Sequence, residues 1–390
     1  MKVAVLRETE SEPRVAATPD TVKRLSGLGA EVHVETGAGE AAGLPDADFK
    51  EAGATLAARG EVVSGADIVL GVRRPDLDGL DTKPGALLLG LMNPYDGDGA
   101  LEALAAADVR AVSMDLLPRI TRAQTMDVLS SQANLAGYRA VIDAADAFQR
   151  ALPMMMTAAG TVPAAKVFVM GAGVAGLQAI ATARRLGAIV TATDVRAAAG
   201  EQVESLGAKF IMHESLKDAS GEGGYARELT EDERKAQADL VAGHIAKQDI
   251  VITTALIPGR PAPKLVSAAM LAAMKPGSVV ADLAAERGGN VEIEGDGDII
   301  KTGGVTVLRY PNMPGRIAAT ASQLYAKNLL AYLTPLIEDG ALKVDREDEI
   351  VAATLLTEGG AIVHPRFKPQ ADAKTDTQSD QADKPAGGAA

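Results

Sequence analysis

The chain has 390 residues, of which 47% are hydrophobic and only 3% aromatic, and it contains no Trp. This length favours two domains, whose cores must be built from Ala, Val, Leu and Ile. The formal net charge of −13 argues against nucleic-acid binding, which needs a basic face to neutralise phosphates. The lack of Cys excludes disulfides, thiolate catalysis and Cys-ligated metal centres. No apolar stretch approaches the ~18 residues of a membrane span, and we expect a soluble, cytoplasmic chain.

The first third of the chain alternates strand and helix patterns. Thr18 is a predicted N-cap with Pro19 in the first turn of its helix. Such alternation predicts a parallel sheet covered on both faces. We predict strands at residues 2–6, 30–35, 67–72, 86–91 and 109–114, and further helices at 46–59 and 98–107.

Residues 116–132 interrupt this alternation with a polar, charged segment, LLPRITRAQTMDVLSSQ. A helical apolar pattern follows over residues 134–152. We interpret it as a helix that connects two domains.

Residues 166–196 carry the clearest chemical signal in the sequence. A short apolar strand leads into Gly171, Gly173 and Gly176, which form G-x-G-x-x-G, and an Ala-rich helix follows. The glycines allow a tight turn, close approach of a pyrophosphate and close helix packing, and the helix N-terminus favours phosphate. Asp194 ends the next strand, where a carboxylate accepts hydrogen bonds from the adenosine ribose. The pattern predicts dinucleotide binding with a preference for NAD(H), although the nearby Arg196 is a residue type that can meet the 2′-phosphate of NADP(H).

The remainder of the chain continues this second unit and then returns to the first. Strands are predicted at 209–212, 249–253, 278–282 and 305–308. The long polar segment between 212 and 237 is expected to be a mobile loop centred near Gly224 and Tyr225, with a helical pattern at its far end over 231–240. A helix at 322–338 is expected to pack back on the first domain. The predicted division is a first Rossmann-like domain of residues 1–125 plus 318–366, an inserted NAD(H)-binding domain of 126–317, and a disordered tail of 367–390.

The four His residues give no acid–base or metal site. His33, His213, His244 and His364 stand apart, and none belongs to a cluster with ligand spacing. We therefore expect no metal.

Several longer segments resemble one family. They read RVAATPDTVKRL from Arg14, PRITRAQTMDVLSSQANLAGYRAVIDAA from Pro118, ITTALIPGRPAP from Ile252, LAAERGGN from Leu283 and NMPGRIAATASQLYAKNLL from Asn312. Together with the glycine unit they are similar to the NAD(H)-binding domain I, the first portion of the alpha subunit, of the proton-translocating transhydrogenases. That family shares its fold with the alanine dehydrogenases. The resemblance implies an α/β fold of two Rossmann-like domains with parallel sheets, separated by a cleft and joined by long helices.

The resemblance also implies an activity that needs partners. NADH bound by this chain would pass a hydride directly to NADP⁺ bound by the NADP(H)-binding domain of the beta subunit, in a Re/Si-specific reaction. Membrane-spanning subunits would couple the transfer to proton translocation. The polar tail suggests a separate peripheral polypeptide at the cytoplasmic face of the membrane, and the resemblance implies a homodimer.

Carrying the family's motifs onto this sequence gives the expected site. Catalytic roles at the nicotinamide end fall on Arg119, Gln124, Asp127 and Ser130, and a mobile loop with Tyr225 would close over the nucleotide. The expected cofactor-binding residues are Arg119, Ile120, Thr121, Gln124, Gly171, Ala172, Gly173, Val174, Gly176, Asp194, Val195, Arg196, Gly224, Tyr225, Gln237 and Leu256.

Two alternatives remain open on the sequence. An alanine dehydrogenase would use a Lys and a His of the first domain, but the Lys position matches Arg73 and the stretch LLLGLMNPYDG contains no His. A non-catalytic NAD(H)-sensing module would have no use for a polar nicotinamide clamp at 119–130. Hydride exchange between two nicotinamides needs positioning rather than substrate proton transfer, which favours the transhydrogenase.

Overall fold

The computed structural model describes residues 1–214, 230–257 and 259–368. Within them, two sheets dominate, and successive residues of a strand face different cores. Val3 and Val5 lie in one hydrophobic cluster, whereas Ala4 and Leu6 lie in another on the opposite face. The central strand of the second sheet alternates in the same way between two further clusters. This confirms the predicted α/β class with sheets buried on both faces.

The first sheet has six strands in the order β3-β2-β1-β4-β5-β6, all pairs being parallel. This is the strand order of a Rossmann fold. Its strands are β1 (Lys2–Val5), β2 (Glu31–Glu35), β3 (Thr55–Ala57), β4 (Ile68–Arg73), β5 (Leu87–Leu91) and β6 (Arg110–Ser113), and its helices are α1 (Pro19–Gly27), α2 (Asp46–Glu51), α3 (Arg59–Val63) and α4 (Ala100–Ala106).

Local signals account for most of these bounds. Thr18 caps α1 in a capping box with Thr21, and Pro19 occupies the first turn, as predicted. The helix predicted over 46–59 begins at Asp46 as expected but is too long, because α2 stops at Glu51 and Gly53 adopts a φ of 97°. The chain then forms the edge strand β3 before α3 begins.

The connecting helix α5 (Val128–Ala147) begins six residues earlier than the pattern predicted. Asp127 is its N-cap and accepts a hydrogen bond from the Ser130 backbone N–H. Phe148 leaves the helix in an extended conformation and ends it before residue 152. The hairpin β7 (Met155–Thr157) and β8 (Gly160–Val162) follows, and the sequence patterns did not predict it.

The second sheet has seven strands in the order β11-β10-β9-β12-β13-β15-β14. All neighbours are parallel except β14, which is an antiparallel edge strand that was not predicted. Its strands are β9 (Lys166–Met170), β10 (Ile189–Thr193), β11 (Lys209–Phe210), β12 (Ile250–Thr253), β13 (Val279–Asp282), β14 (Ile299–Thr302) and β15 (Val305–Leu308), and its helices are α6 (Val174–Arg185), α7 (Ala199–Ser205), α8 (Glu231–Ile245) and α9 (Ala268–Ala273).

Helix α10 (Ala318–Leu333) returns to the first sheet, as the sequence predicted. Tyr325, fully buried, donates a 2.9 Å hydrogen bond to the Gly71 carbonyl of β4, and Leu329 and Leu333 join the same core. The helix starts and ends earlier than predicted and is followed by a 3₁₀ turn that contains Pro335. The described chain ends with β16 (Ile337–Glu338), β17 (Ala341–Leu342), α11 (Glu349–Thr354), β18 (Thr357–Glu358) and β19 (Ala361–Ile362).

The described helices include none that is both long and apolar enough to cross a bilayer. No group of three potential ligands among the same residues is arranged to hold a metal ion. The proposed tail falls almost wholly on residues 369–390, which lie outside the described part of the chain.

Candidate functional site

The glycine turn lies at the carboxyl end of β9, next to β12, where the strand order of the second sheet reverses. Ligands of open α/β sheets bind at such a reversal. Gly171 adopts a φ of 106°, which favours glycine, and a Cβ on Gly176 would lie 1.8 Å from the Gly171 carbonyl oxygen. The backbone of the protein therefore requires glycine at both positions, whether or not a ligand binds.

Gly173 differs from the other two glycines. A Cβ built there meets none of the described residues within 4 Å, so the turn presents open space toward them on that side. Helix α6 starts at the next residue, Val174, and no side chain caps it. Its first N–H groups are thus available to a phosphate that approaches over Gly173.

Asp194 turns back from the end of β10 onto this glycine turn. One carboxylate oxygen accepts a 2.7 Å hydrogen bond from the Ala172 N–H, and the other accepts one of 2.9 Å from the Arg196 N–H. The Arg196 guanidinium adds two bonds, of 2.9 and 3.2 Å. Burial tends to raise the pKa of Asp194, but these hydrogen bonds outweigh it and lower the pKa below its usual value. Asp194 is thus held ionised beside the turn.

Large apolar side chains are exposed along the same edge of the sheet. Val174 and Val195 are 42% and 70% exposed, and Leu256 and Ile257, after β12, are 55% and 44% exposed. Such side chains offer flat contact surface to an adenine or nicotinamide ring. The structure therefore brings Val174, Val195 and Leu256 to the carboxyl edge that also carries the glycine turn, while Ala172 is buried within the turn.

Gln237 supports this edge from helix α8. Its amide donates a 3.0 Å hydrogen bond to the Thr193 hydroxyl and accepts one of 2.8 Å from the His213 backbone N–H. It therefore ties the end of β10 to the chain that follows β11. Gly224 and Tyr225, with the expected closing loop, lie outside the described residues.

The polar segment before α5 contains a 3₁₀ helix, Thr121–Met126. Arg119, Thr121 and Gln124 are exposed there, whereas Ile120 packs partly against the core of the first sheet. In the described part of the chain, the Arg119 and Gln124 side chains make no hydrogen bond or ion pair. The segment is nevertheless fixed, because Asn328 of α10 donates a 2.8 Å hydrogen bond to the Thr125 carbonyl.

Helix α5 connects this segment to the glycine turn. Gly137 crosses α6 so closely that a Cβ there would lie 2.0 Å from the Ala175 carbonyl oxygen. One turn earlier, Asn134 donates a 3.3 Å hydrogen bond to Gln178 of α6. Asp127 and Ser130, at the start of α5, are thereby held in a fixed relation to the start of α6.

A buried charge network holds the other side of this helix. Arg14 and Glu12, only 3% and 4% exposed, form two hydrogen bonds of 2.7 and 2.6 Å. Arg14 also donates a 2.8 Å bond to Gln132 of α5. Burial alone would raise the pKa of Glu12, but Arg14 lowers it below its usual value. Buried charges are stable only when paired in this way, so the network pins α5 to the first sheet.

Arg73 extends this network toward the second sheet. It donates 2.9 Å and 3.0 Å hydrogen bonds to Glu12 and Glu286. Burial disfavours its charge, yet Glu286 and Glu12 raise the pKa of Arg73 above its usual value. Arg73 therefore stays protonated at the position where an alanine dehydrogenase would carry its Lys.

Comparison with known proteins places the chain in a family. Residues 4–136 match the model of the alanine dehydrogenase/PNT N-terminal domain, and residues 140–365 match that of the C-terminal domain. This chain belongs to the alanine dehydrogenase/PNT family.

Individual relatives agree with this membership. The chain is 52% identical over 382 residues to the first portion of NAD(P) transhydrogenase subunit alpha of Rhodospirillum rubrum, covering 95% of this chain and 100% of the relative. The crystal structure of transhydrogenase from Sinorhizobium meliloti is 55% identical with a TM-score of 0.85, covering 93% of this chain and 100% of that one. A solved L-alanine dehydrogenase is 26% identical with a TM-score of 0.78, covering 94% of this chain and 98% of that one.

Sequence reasoning missed the support beneath the turn. Thr254, after β12, lies so close that a Cβ on Gly171 would be 2.4 Å from its hydroxyl. The buried Asn290 accepts a 3.0 Å hydrogen bond from the Ala255 N–H and donates one of 2.8 Å to its carbonyl. Asp282 in turn accepts a 2.8 Å bond from the Asn290 N–H. The pairing of Asn290 with Ala255 is a tertiary contact, and no local pattern around Asn290 indicates it.

Glu8 was also missed as an unusual carboxyl group. Its oxygens accept hydrogen bonds of 2.6 and 3.3 Å from the Val72 and Arg73 N–H groups. Burial dominates these bonds and raises the pKa of Glu8 to about 7. Glu8 links the ends of β1 and β4, a position that no local pattern around it indicates.

Proposed function

We propose that this chain is the NAD(H)-binding part of a proton-translocating transhydrogenase. NADH lies with its pyrophosphate over Gly173 and its adenosine ribose at Asp194. The observation that carries this proposal is the open face of Gly173 beside an ionised Asp194, at the point where the sheet order reverses. The names of the transhydrogenase relatives support the same assignment.

The nicotinamide end is assigned to the segment before α5. Arg119 and Gln124 are exposed, and within residues 1–214, 230–257 and 259–368 their side chains make no hydrogen bond. A Gln amide both donates and accepts. Asp127 and Ser130 complete this end of the site, with Asp127 fixed by its role as N-cap. We infer that these residues orient the dihydronicotinamide ring, so that catalysis comes from positioning.

The hydride acceptor is NADP⁺ bound to the beta subunit. The ring of NADH is left uncovered until that domain docks, and the Re/Si-specific transfer then passes directly between the two nicotinamides. Membrane-spanning subunits couple the cycle to proton translocation, and this chain reaches the cytoplasmic face of the membrane through them. The working unit is a homodimer, with domains at 1–125 plus 318–366 and 126–317.

Alanine dehydrogenation fits the cleft less well. Arg73 is paired with both Glu12 and Glu286 and keeps its proton, so it supplies no acid–base group, and its charge is already balanced before a 2-oxo acid arrives. A pure NAD(H) sensor leaves the exposed Arg119 and Gln124 without a role.

Turnover by the isolated chain separates these functions. The purified protein should bind NADH better than NADPH and show negligible oxidation of NADH with pyruvate and ammonia. Adding a transhydrogenase NADP(H)-binding domain with NADP⁺ should start NADPH formation. Pyruvate-dependent turnover without the partner would establish an alanine dehydrogenase instead.

A further inference from the structure

Asp194, the carboxylate assigned to the ribose, already accepts hydrogen bonds at all of its acceptor positions in this structure. A carboxylate has about four acceptor positions, two on each oxygen. Arg196 supplies donors to three of them through its backbone N–H and its guanidinium, and the Ala172 N–H takes the fourth. A ribose hydroxyl can therefore reach Asp194 only if one of these donors leaves.

The donors differ in how easily they can leave. The two backbone N–H groups belong to the turn and to the chain after β10, and the buried Ala172 fixes the first of them. The Arg196 side chain is 47% exposed, whereas that of Asp194 is 8% exposed. The guanidinium thus covers the carboxylate from the solvent side, and it also donates a 3.3 Å hydrogen bond to the Ala172 carbonyl. Because the side chain is half-exposed, water can replace all three of these bonds when it leaves.

We propose that the Arg196 guanidinium is a placeholder for the adenosine ribose, occupying the Asp194 oxygens in the free protein and leaving them when the nucleotide binds. This inference rests on the proposed NAD(H) site and adds a specificity-determining residue to it. Two charge-assisted bonds are exchanged for two ribose hydroxyl bonds, so Arg196 competes directly with the ligand.

The same pairing bears on the choice of coenzyme. A 2′-phosphate at this position meets the Asp194 charge, while the one adjacent guanidinium is neutralised by that carboxylate. With Asp194 removed, Arg196 becomes a free cation at the 2′-position, and the site should then accept a 2′-phosphate.

Binding of ADP-ribose, which lacks the nicotinamide, tests the placeholder. Arg196→Met should bind ADP-ribose roughly 2- to 5-fold more tightly than the native chain, since an exposed ion pair contributes about that much. Arg185→Met is the matched control, because it removes one exposed Arg from the last turn of α6 without touching Asp194. Equal or weaker binding by Arg196→Met, with the control unchanged, would overturn the proposal.

A second comparison uses 2′-phospho-ADP-ribose. Asp194→Ser should bind it about tenfold more tightly than the double variant Asp194→Ser/Arg196→Met, the gain of one charge-assisted contact. Equal affinity of the two variants would also contradict the placeholder.

If the native chain binds ADP-ribose but Arg196→Met does not bind it more tightly, only this inference fails. If ADP-ribose does not bind at all, the proposed NAD(H) site fails with it.

Discussion

Arg73 and Glu286 join the two sheets through a 3.0 Å hydrogen bond between the end of β4 and the turn after β13. The next residue of that turn, Arg287, pairs at 2.6 Å with Asp96, in the loop after β5. The neighbouring residues Glu286 and Arg287 thus each form an ion pair with a residue of the other charge at the strand ends of the first sheet. This arrangement fixes how the strand ends face one another around the proposed site.

Removing each partner of the Arg73 pair should have unequal effects. Glu286→Gln should cost about 0.2–1 kcal/mol of stability, since this pair is partly exposed. Arg73→Met should cost more, roughly 1–3 kcal/mol, because the buried Glu12 also loses a donor. Denaturant unfolding measures both, and Lys343→Met, which breaks the exposed Lys343–Glu338 pair of one hairpin, is the control. Equal losses for the two variants would contradict the role given to Glu12.

The glycines of the turn should separate folding from binding. Gly173→Ala should leave stability unchanged and weaken NADH binding roughly tenfold or more, since only the ligand approaches that face. Gly176→Ala should instead destabilise the fold by about 1–3 kcal/mol, because its Cβ meets the Gly171 carbonyl. Thermal unfolding and NADH titration measure the two effects. Gly243→Ala in α8, where a Cβ meets none of the described residues, is the control for an added methyl group and should raise stability by roughly 0.5–1 kcal/mol as a helix-interior change. Loss of about 1 kcal/mol or more in Gly173→Ala would refute the open face.

Asp127 has a structural role that can be separated from its proposed catalytic role. Asp127→Ala should cost about 1 kcal/mol of stability through loss of the α5 cap. Asp127→Ser should restore the cap, and hence the stability, but not the rate of hydride transfer. Recovery of the full rate in the Ser variant would mean that Asp127 acts only as a cap.

Glu8 should make stability depend on pH. Its pKa is raised from 4.5 to about 7 in the folded protein. The contribution of protonated Glu8 to the free energy of unfolding is therefore fully present below pH 4.5 and is lost as the pH rises through 7. Relative to Glu8→Gln, the native chain should therefore lose roughly 1–3 kcal/mol of stability between pH 4.5 and 8. Glu10→Gln, on the same loop and exposed, controls for the loss of one charge. If the unfolding free energies of the native chain and Glu8→Gln changed with pH in parallel, the fold would not be holding Glu8 protonated.

Gln124 should matter for transfer but not for folding. Gln124→Asn shortens an exposed side chain that has no hydrogen bond in the described structure, so its stability should match the native chain. We expect NADH affinity within a few-fold and hydride transfer slower by roughly a hundredfold, as misplacement of a reacting ring costs. An unchanged single-turnover rate would remove Gln124 from the mechanism.

The sequence predicted features that depend on local chemistry. Gly171 and Gly176 need glycine for backbone reasons, and Thr18 with Pro19 starts a helix by hydrogen bonding and φ preference. These signals lie within a few residues of the feature they specify. The family resemblance then supplied roles for residues such as Gln124, which local chemistry alone left undecided.

The sequence did not predict features that depend on contacts between distant segments. The edge strands β3 and β14, of three and four residues, are too short to show a pattern of their own. They form because a neighbouring strand is available for pairing. Glu8 acquires its raised pKa only when β4 closes over it. The saturation of Asp194 by Arg196 involves residues two positions apart, yet it depends on the angle at which the chain leaves β10.

Direct hydride transfer is tested most sharply with NADH that carries deuterium at both C4 positions, followed by mass spectrometry of the NADPH formed. The chain is mixed with a transhydrogenase NADP(H)-binding domain and NADP⁺ in deuterium-free water. Direct transfer predicts NADPH carrying one deuteron at C4, with label independent of the solvent and none formed without the chain. Unlabelled NADPH, or none at all despite tight NADH binding, would contradict the account.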